Sequence, residues 1–373
     1  MKIFLVTNSL GLGGAQRSII ALAQDRLNLG DSVTMVFVEG TENAFYSLPQ
    51  ELDIVSLNGS TKSESSIFKK LGRLFRASIK FRKEVSKQQP GVVISFLDQV
   101  NVLALIATLF MDVPIIVSER SHPSRTSLVS LEKLNVVRCF WRFLRNILYR
   151  QARFITVLTP PGKSYFPKLL HHKIYVTPNV VPKPISQESD IKLDQKTILW
   201  MGRFAPVKRV DLLIRAFSLI EKNHPDWTVN LVGDGPEKVK IETMILALGL
   251  SDRVKIHPAT QSPYKTLSQA RLFVNCSDWE GFGLSLTEAM SVGLPVISTE
   301  CWGGEQDIVQ DGVNGLLVPV GDVDALAVAI TKLIEDPDLS KQLGANAKHI
   351  TDKFSSDKVF GNWNELIQKA IKK

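Results

Sequence analysis

Hydrophobic positions along the chain fall into short apolar runs separated by longer stretches with helical spacing. The short runs predict strands at residues 3–7, 32–38, 54–57, 92–96, 115–118, 154–158 and 174–177, and then at 197–201, 228–232, 254–256, 272–275, 295–298 and 315–318. Because helical patterns lie between most of these runs, the chain predicts an α/β fold of parallel sheets with helices on both faces. Such sheets bind ligands at the carboxyl ends of their strands.

The alternation of strands and helices breaks near mid-chain. Residues 177–196, TPNVVPKPISQESDIKLDQK, hold three prolines and alternating charges, a composition typical of a linker. We therefore predict an N-terminal domain at 1–180, a linker at 181–195 and a C-terminal domain at 196–350. Residues 351–373 have the spacing of a terminal helix that could pack across either domain, and we predict a return to the N-terminal one.

Composition indicates a globular protein, with 44% apolar and 22% charged residues. Three widely spaced cysteines, Cys139, Cys276 and Cys301, favour a reducing compartment over a disulfide framework. The N-terminal apolar run is expected not to be a signal peptide. The longest apolar stretch, residues 102–111, is shorter than the roughly 20 residues that a membrane span needs.

Charge is unevenly distributed between the two halves. Residues 1–185 carry 24 Lys and Arg against 12 Asp and Glu, whereas the remainder carries 21 against 25. The excess predicts an anionic partner for the first half, either nucleic acid or a membrane surface.

A glycine-rich turn follows the first strand in LVTNSLGLGGAQRSIIALAQ. Gly11, Gly13 and Gly14 permit close approach of a phosphate, and the following helix offers free N–H donors. A dinucleotide fingerprint would need glycine at Gln16, although Glu39 could mimic its ribose-binding acid. NAD binding and a tight turn without ligand remain the alternatives.

Three strand–turn–helix units in the second half predict an anion site. Arg203 and Lys208 lie in the loop after strand 197–201, where both cations can reach one diphosphate. Gly233 and Gly235 form a turn after strand 228–232, and a third helix begins around Gly283 or Leu284. Each loop alone could simply be solvated, but their convergence in one parallel sheet favours a diphosphate or nucleotide site.

Several segments carry a family resemblance: GRFAPVKRVDLLIRAF, VGDGPEK, EGFGLSLTEAMSVGLPVISTE and IVQDGVNGLLV, with GLGGAQRS and TPNVV in the first half. They resemble the retaining glycosyltransferases of family 4. The resemblance implies the GT-B fold, in which two Rossmann-like domains face a central cleft. The first would bind the acceptor and face the membrane, and the second would bind the nucleotide sugar. ISFLDQVN and PIIVSERSHP further resemble members that build lipid-linked oligosaccharides, O-antigens and capsules.

The resemblance implies roles for individual residues. Arg203 and Lys208 would bind the donor diphosphate, Glu288 the nucleotide ribose, and Glu280 the hydroxyls of the donor sugar. The implied donor site also includes Gly13, Gly14, Gly233, Gly235, Gly281, Phe282, Gly283, Leu284 and Ser285. Catalytic roles would fall to Glu280, Arg203, Lys208 and His122.

On the acceptor side the candidates are Glu119, Arg120 and His122. The context of His122, SERSHP, departs from the commoner family pattern, so a turn histidine before Pro123 is an equal alternative.

The two carboxylates Glu280 and Glu288 form an E-x7-E pattern. In a continuous helix they would lie about 12 Å apart along the axis, whereas a retaining hydrolase pair needs about 5 to 5.5 Å. The breaks at Gly281 and Gly283 put Glu280 in a loop and Glu288 in a helix. This spacing favours two handles on one extended ligand over an acid/base pair.

The implied reaction is transfer of a hexose or N-acetylhexosamine from a nucleotide sugar, with UDP as the family's usual nucleotide, to a lipid-linked or lipopolysaccharide acceptor with retained configuration. No cofactor or metal is expected, since Arg and Lys can do the charge work of a cation. The alternatives are a non-catalytic nucleotide-sugar-binding subunit of a membrane assembly and a sugar-nucleotide epimerase of the same fold.

Two basic amphipathic stretches, residues 65–88 and 131–150, predict membrane association. Their apolar stripes would contain Ile67, Leu71, Leu74, Phe75 and Ile79 in the first, and Val137, Phe140, Trp141, Leu144 and Leu148 in the second. The candidate lipid contacts are Lys69, Lys70, Arg73, Arg76, Arg138, Arg142 and Arg145.

At about 1 kcal/mol for each basic residue near an anionic surface, these contacts would hold a cytoplasmic protein peripherally on the inner face of the membrane. For the apolar faces, packing on the sheet is the default expectation, and the alternative to lipid contact is that the basic faces are only solvated. Nucleic acid is the weaker candidate, because no recognition module is evident.

Overall fold

The computed structural model describes residues 1–11, 13–40, 45–57, 67–121, 135–184, 196–301, 303 and 305–372, without the side chains of residues 67–71, 73, 135–138, 305 and 306. The chain divides into two compact units. The first comprises Met1–Pro178 together with Asp357–Lys373, and the second comprises Asn179–Ser356. The terminal segment 357–373 therefore belongs to the first unit, and most of the predicted linker, residues 185–195, lies outside the described residues.

The first unit contains one parallel sheet. Its strands are β1 (Lys2–Thr7), β2 (Ser32–Phe37), β3 (Asp53–Ser56), β4 (Val92–Phe96), β5 (Ile115–Ser118), β6 (Phe154–Val157) and β7 (Ile174–Val176), in the spatial order β3-β2-β1-β4-β5-β6-β7. The helices of this unit are α1 (Gly14–Asn28), α2 (Ile67–Gln88), α3 (Asp98–Ala107), α4 (Asn135–Leu148), α5 (Pro160–Ser164) and, from the end of the chain, α14 (Ser356–Ile371).

The second unit repeats this architecture. Its strands are β8 (Thr197–Met201), β9 (Thr228–Val232), β10 (Val254–His257), β11 (Leu272–Asn275), β12 (Val296–Thr299) and β13 (Leu316–Val318), in the order β10-β9-β8-β11-β12-β13. Its helices are α6 (Val210–Ile220), α7 (Lys238–Ala247), α8 (Pro263–Leu267), α9 (Leu284–Val292), α10 (Glu305–Ile308), α11 (Val323–Glu335), α12 (Pro337–Ala347) and α13 (Ile350–Lys353).

The prediction of two α/β units with parallel sheets is confirmed, and each predicted strand lies within one or two residues of an observed one. The agreement has a simple cause. Strands such as β4 and β5 are buried along their whole length, so both faces must be occupied mainly by apolar side chains. A continuous apolar run is therefore visible in the sequence itself.

Both sheets reverse their strand order at an internal point, which is where Rossmann-like sheets bind ligands. In the first unit the reversal lies between β1 and β4, and in the second between β8 and β11. Non-glycine residues with positive φ occur in the loops at both points: Leu97 (φ 79°) after β4 and Arg209 (φ 45°) after β8. A left-handed backbone costs an L-residue about 1–2 kcal/mol, so these loops are held by contacts that offset the strain.

Helix α2 packs through a face that shares Leu74 with the predicted stripe but otherwise differs from it. Ala77, Phe81 and Val85 are buried, whereas Phe75 and Ile79, predicted on the apolar stripe, are 68% and 43% exposed. The stripe predicted from spacing was wrong at these two positions, because the packed face follows the register of Ala77, Phe81 and Val85. The side chains of Lys69, Lys70 and Arg73 lie outside the described residues, and Arg76 is exposed.

Helix α4 departs from its predicted pattern at one apolar and one basic position. Leu144 and Leu148 pack against the core as predicted, but Phe140 is 64% exposed and Arg145 only 1% exposed. The guanidinium of Arg145 lies over the ring of Phe166, 5.0 Å from its centroid. The prediction that Arg145 contacts lipid is therefore wrong, because its charge is buried among aromatic rings. Arg142 is exposed, and the side chain of Arg138 lies outside the described residues.

Helix α14 completes the first unit. Trp363 is 2% exposed and stacks on Phe96 at the end of β4, with the ring centroids 6.2 Å apart. Arg26 of α1 donates a hydrogen bond to Asn364 at 3.0 Å. The last helix thus contributes core to a unit whose other elements lie at least 178 residues earlier in the chain.

Candidate active site

The loop after β8 is fixed to the loop after β11, at the reversal point of the second sheet. Residues Pro206–Lys208 form a short 3-10 turn, and the amide of Asp278 donates to the carbonyl of Val207 at 2.8 Å. Arg209 Nη1 donates to Asp278 Oδ1 at 3.0 Å. These bonds, made across about seventy residues of sequence, hold the strained backbone at Arg209 and set the position of Lys208.

The central feature of the site is an ion pair. Lys208 Nζ lies 2.5 Å from Glu280 Oε1. Glu280 is 8% exposed, and its Oε1 also accepts a hydrogen bond from the hydroxyl of Ser277 at 2.8 Å. A largely buried carboxylate is thereby supplied with two donors, one of them charged. The structure thus brings together two of the side chains that the sequence placed in the donor site.

The backbone of Glu280 is approached closely by a glycine. A Cβ built on Gly303 (φ 141°) would lie 1.7 Å from the carbonyl oxygen of Glu280. Any side chain at position 303 would therefore displace the loop that carries the ion pair. The sequence offered only the dipeptide Gly303-Gly304 as a signal of this contact.

Helix α9 begins beside this loop. Gly283 adopts the left-handed conformation (φ 63°, ψ 55°), and the helix runs from Leu284, with no side-chain cap among the described residues. Its first N–H groups and the helix dipole favour an anion near this end. Glu288, in the second turn, is 2% exposed. The two glutamates occupy a loop and a helix, as the breaks at Gly281 and Gly283 predicted.

Phe282 contributes packing through its ring. Its side chain is 3% exposed and meets Phe354 edge to face, with the centroids 5.0 Å apart. Gly281, Leu284 and Ser285 are partly exposed at the same turn.

The loop after β9 packs backbone to backbone against the loop after β8. The amide of Phe204 donates to the carbonyl of Asp234 at 2.9 Å. A Cβ on Gly233 would lie 1.9 Å from the carbonyl oxygen of Gly202, so the two loops can approach only because position 233 is glycine. Gly235 lies in the same turn, and Arg203 is exposed in the loop after β8.

Comparisons with known proteins identify this arrangement. Residues 183–350 match the family model described as "Glycosyl transferases group 1". The matched residues all lie within the second unit. The resemblance to glycosyltransferases predicted from the sequence motifs is thereby confirmed.

Relatives extend the likeness over the whole chain. The protein is 26% identical over 369 residues to GalNAc-alpha-(1->4)-GalNAc-alpha-(1->3)-diNAcBac-PP-undecaprenol alpha-1,4-N-acetyl-D-galactosaminyltransferase of Campylobacter jejuni, with 98% of each chain covered. It is 28% identical over 368 residues to a second enzyme of that organism, N-acetylgalactosamine-N,N'-diacetylbacillosaminyl-diphospho-undecaprenol 4-alpha-N-acetylgalactosaminyltransferase, covering 96% of this chain and 97% of the relative.

Solved structures agree on the fold. Anabaena HepE in complex with UDP and glucose superposes with a TM-score of 0.81 at 21% identity, covering 99% of both chains. Sucrose-phosphate synthase from Thermosynechococcus elongatus superposes with a TM-score of 0.84 at 20% identity, covering 99% of this chain and 98% of the other. These likenesses confirm the predicted GT-B fold.

In the first unit, helix α1 begins at Gly14 directly after Gly13, again without a side-chain cap among the described residues. This is the geometry that the glycine-rich turn predicted, and its role toward a phosphate stays a prediction. His122 lies outside the described residues.

The acceptor-side candidate Glu119 follows β5 directly and is 2% exposed. The hydroxyl of Tyr149 donates to Glu119 Oε1, and the amide of Asn101 donates to the Tyr149 hydroxyl at 2.9 Å. Burial raises the pKa of the Glu119 carboxyl to about 7, against the opposing effect of Arg145. Glu119 is thus an internal, titratable group at the carboxyl edge of the sheet.

Its neighbour Arg120 is also internal. The guanidinium lies 4.8 Å from the ring centroid of Phe96 and 5.5 Å from that of Trp363. It donates to Ser118 Oγ at 2.8 Å and to the carbonyl of Thr177 at 3.1 Å. Burial lowers the pKa of Arg120 to about 9. In this structure Glu119 and Arg120 both make internal bonds, and their contact with an acceptor stays a prediction.

The described ranges contain no cluster of three or more side chains suited to a metal ion. Nor does any helix within them combine the length and hydrophobicity needed to cross a membrane.

The buried carboxyl of Glu119 predicts a pH-dependent stability. An ordinary carboxyl titrates near 4.5 and the folded one near 7, so between these values the native state holds the additional proton. Stability therefore falls as the pH rises through this window. We expect the melting temperature to drop by several degrees between about pH 5 and pH 8.

The variant Glu119→Gln keeps an acceptor for Tyr149 but cannot ionise, so its melting profile should be flatter over the same range. Glu242→Gln, at an exposed position on α7, is the matched control. Parallel profiles for wild type and Glu119→Gln would show that another group titrates. Asp98, Tyr149 and Arg145 are the charged or titratable groups that act on Glu119.

Proposed function

We propose that the protein is a retaining, metal-independent glycosyltransferase that moves a hexose or N-acetylhexosamine from a UDP-sugar to a lipid-linked glycan. The observation that carries the proposal is the Lys208–Glu280 pair, held at the reversal point of a Rossmann-like sheet beside the start of α9. The Campylobacter relatives, whose names specify undecaprenol-linked acceptors, support the acceptor class. The similar crystal structure of Anabaena HepE, which contains UDP and glucose, supports a UDP-sugar as the donor.

In this proposal the charges of the site act on the departing nucleotide. As the glycosidic bond breaks, negative charge grows on the diphosphate. The ammonium of Lys208, the exposed guanidinium of Arg203 and the N-terminus of α9 stabilise that charge, which is electrostatic catalysis by preorganised groups. Glu280 accepts hydrogen bonds from hydroxyls of the donor sugar, and Glu288 holds the ribose.

Retention follows from attack on the face that the nucleotide leaves, with the departing phosphate accepting the proton of the acceptor hydroxyl. No side chain on the opposite face then needs to act as a base. We expect the product to keep the anomeric configuration of the donor sugar, measured by NMR of the new glycosidic linkage. An inverted product would contradict this mechanism.

The two glutamates should separate binding from transfer. We expect Glu288→Ala to raise the Kd for UDP about tenfold or more, the effect of losing a hydrogen bond to a charged group. Glu280→Gln keeps its shape but loses its charge. It should leave the Kd for UDP nearly unchanged and lower kcat on the order of a hundredfold, the usual cost of losing one transition-state contact.

Calorimetry with UDP and release of UDP from UDP-sugars measure both quantities, with the exposed Glu242→Ala as the control. UDP binding that ignores Glu288 would contradict the ribose assignment. Binding without any turnover of donor, with or without acceptor, would favour a non-catalytic subunit.

We further propose peripheral binding to the inner face of the cytoplasmic membrane through the first unit. Helix α3 packs against both α2 and α4, so the three form one layer. This layer exposes large apolar side chains: Phe75 (68%), Ile79 (43%), Ile106 (45%), Phe110 (95%), Phe140 (64%), Phe143 (64%) and Ile147 (42%). Exposed cations accompany them on α2 and α4: Arg76, Lys80, Arg82, Lys83 and Arg142.

Exposed aromatic rings next to cations fit an anionic bilayer. The rings can enter the headgroup region, and each cation adds about 1 kcal/mol near the lipid phosphates. This arrangement differs from the predicted stripe, because Phe75 and Ile79 are available to lipid and are not buried against the sheet.

Flotation with vesicles containing phosphatidylglycerol tests this surface. We expect wild type to float at low salt and the triple variant Arg76→Ser, Lys80→Ser, Arg142→Ser to float several-fold less. Lys222→Ser, Lys265→Ser, Lys341→Ser removes the same charge from exposed positions of the second unit and should float like wild type. Equal loss in both variants would show that only net charge matters, and no flotation of wild type would reject the membrane proposal.

A further inference from the structure

Ser277 is wholly buried two residues after β11. Its hydroxyl lies 2.8 Å from Glu280 Oε1 and 3.0 Å from Asn275 Oδ1. A hydroxyl has one proton to donate, and the carboxylate is both the nearer and the stronger acceptor. The bond to Glu280 is therefore the one that the proton serves.

Ser277 is itself fixed from the neighbouring strand. The hydroxyl of Thr299, at the end of β12, donates to the carbonyl of Ser277 at 2.6 Å. At the ends of the same two strands, Asn275 Nδ2 donates to Ser298 Oγ at 3.2 Å. These two residues are register partners of β11 and β12. These side-chain hydrogen bonds connect β11 to β12 at and beyond the last backbone pair of the two strands. They fix the start of the loop that bears Glu280.

Both donors to Glu280 meet the same oxygen. Lys208 and Ser277 bond to Oε1, so neither bond occupies Oε2. The two donors differ in burial, because the Lys208 side chain is 26% exposed whereas Ser277 is fully buried. The lysine can therefore turn toward a ligand, and the serine cannot.

We propose that Ser277, fixed by Thr299, is a positioning residue that holds the Glu280 carboxylate in place when the ammonium of Lys208 turns to the donor diphosphate. The inference rests on the proposed function. With Ser277 in place, Oε1 keeps one donor throughout the reaction and Oε2 stays directed at the sugar. Without it, the carboxylate would follow Lys208 or rotate, and the sugar contact would be lost.

The experiment compares Ser277→Ala with wild type in two measurements. We expect kcat for transfer to fall about tenfold, the size of one hydrogen bond to a charged group, while the Kd for UDP stays unchanged. Ser340→Ala is the matched control, since Ser340 is 1% exposed on α12, and its kcat and Kd should equal those of wild type. Thr299→Val, which removes the bond to the Ser277 carbonyl, should lower kcat in the same direction without weakening UDP binding.

The outcomes are distinct. Wild-type protein that neither binds UDP nor turns over a UDP-sugar would overturn the proposed function. If wild type is active and both Ser277→Ala and Thr299→Val keep its kcat, the positioning role is overturned alone. A parallel loss of UDP affinity, kcat and melting temperature in both variants would overturn it too, because the hydroxyls would then serve only the fold.

Discussion

The site depends on the bonding between two loops that follow different strands of one parallel sheet. The 206–209 turn and the loop after β11 are joined by the Asp278 amide, the Arg209–Asp278 ion pair and the Cys276 thiol, which donates to the carbonyl of Arg209 at 3.0 Å. The pairing of β8 with β11 brings these loops to one edge of the sheet, and their bonding sets Lys208 against Glu280, which are separated by 72 residues of sequence. The left-handed backbone at Arg209 is the conformational strain that these bonds offset.

Local information explains which features could be predicted from the sequence. The strands, the helix start at Leu284 and the candidate anion loops follow from apolar runs, glycine breaks and the rule that parallel strands present their carboxyl ends together. The same rule places Lys208 and Glu280 at one edge of the sheet, where they form their ion pair. Ser277 and Thr299 could not be predicted, because a buried hydroxyl in a strand-end loop looks like any other small polar residue until the neighbouring strand is known.

The first unit shows the limit of helical spacing more sharply. Arg142 and Arg145 lie three residues apart on α4, and helical spacing predicted lipid contact for both. Arg142 is exposed, but Arg145 is buried with its guanidinium over Phe166 and acts on the charge of Glu119. A cation that neighbours both an aromatic ring and a buried carboxyl can leave water at a smaller cost than an isolated one. Periodicity cannot report such partners, since they come from other elements.

The same reasoning separates Glu280 of the site from Glu119, the buried glutamate of the first unit. Glu280 accepts hydrogen bonds from an ammonium and a hydroxyl on one oxygen, which suits its carboxylate to act as an acceptor of hydrogen bonds. Glu119 in the other unit instead accepts a hydrogen bond from a phenol, and burial raises its pKa to about 7. The donors on Glu280 suit it to the role that the proposed function gives it, which is to accept hydrogen bonds from hydroxyls of the donor sugar. In the proposed mechanism, charge on the departing diphosphate is met by fixed cations and helix N–H groups, and Ser277 keeps one donor on the Glu280 carboxylate when Lys208 turns to that charge.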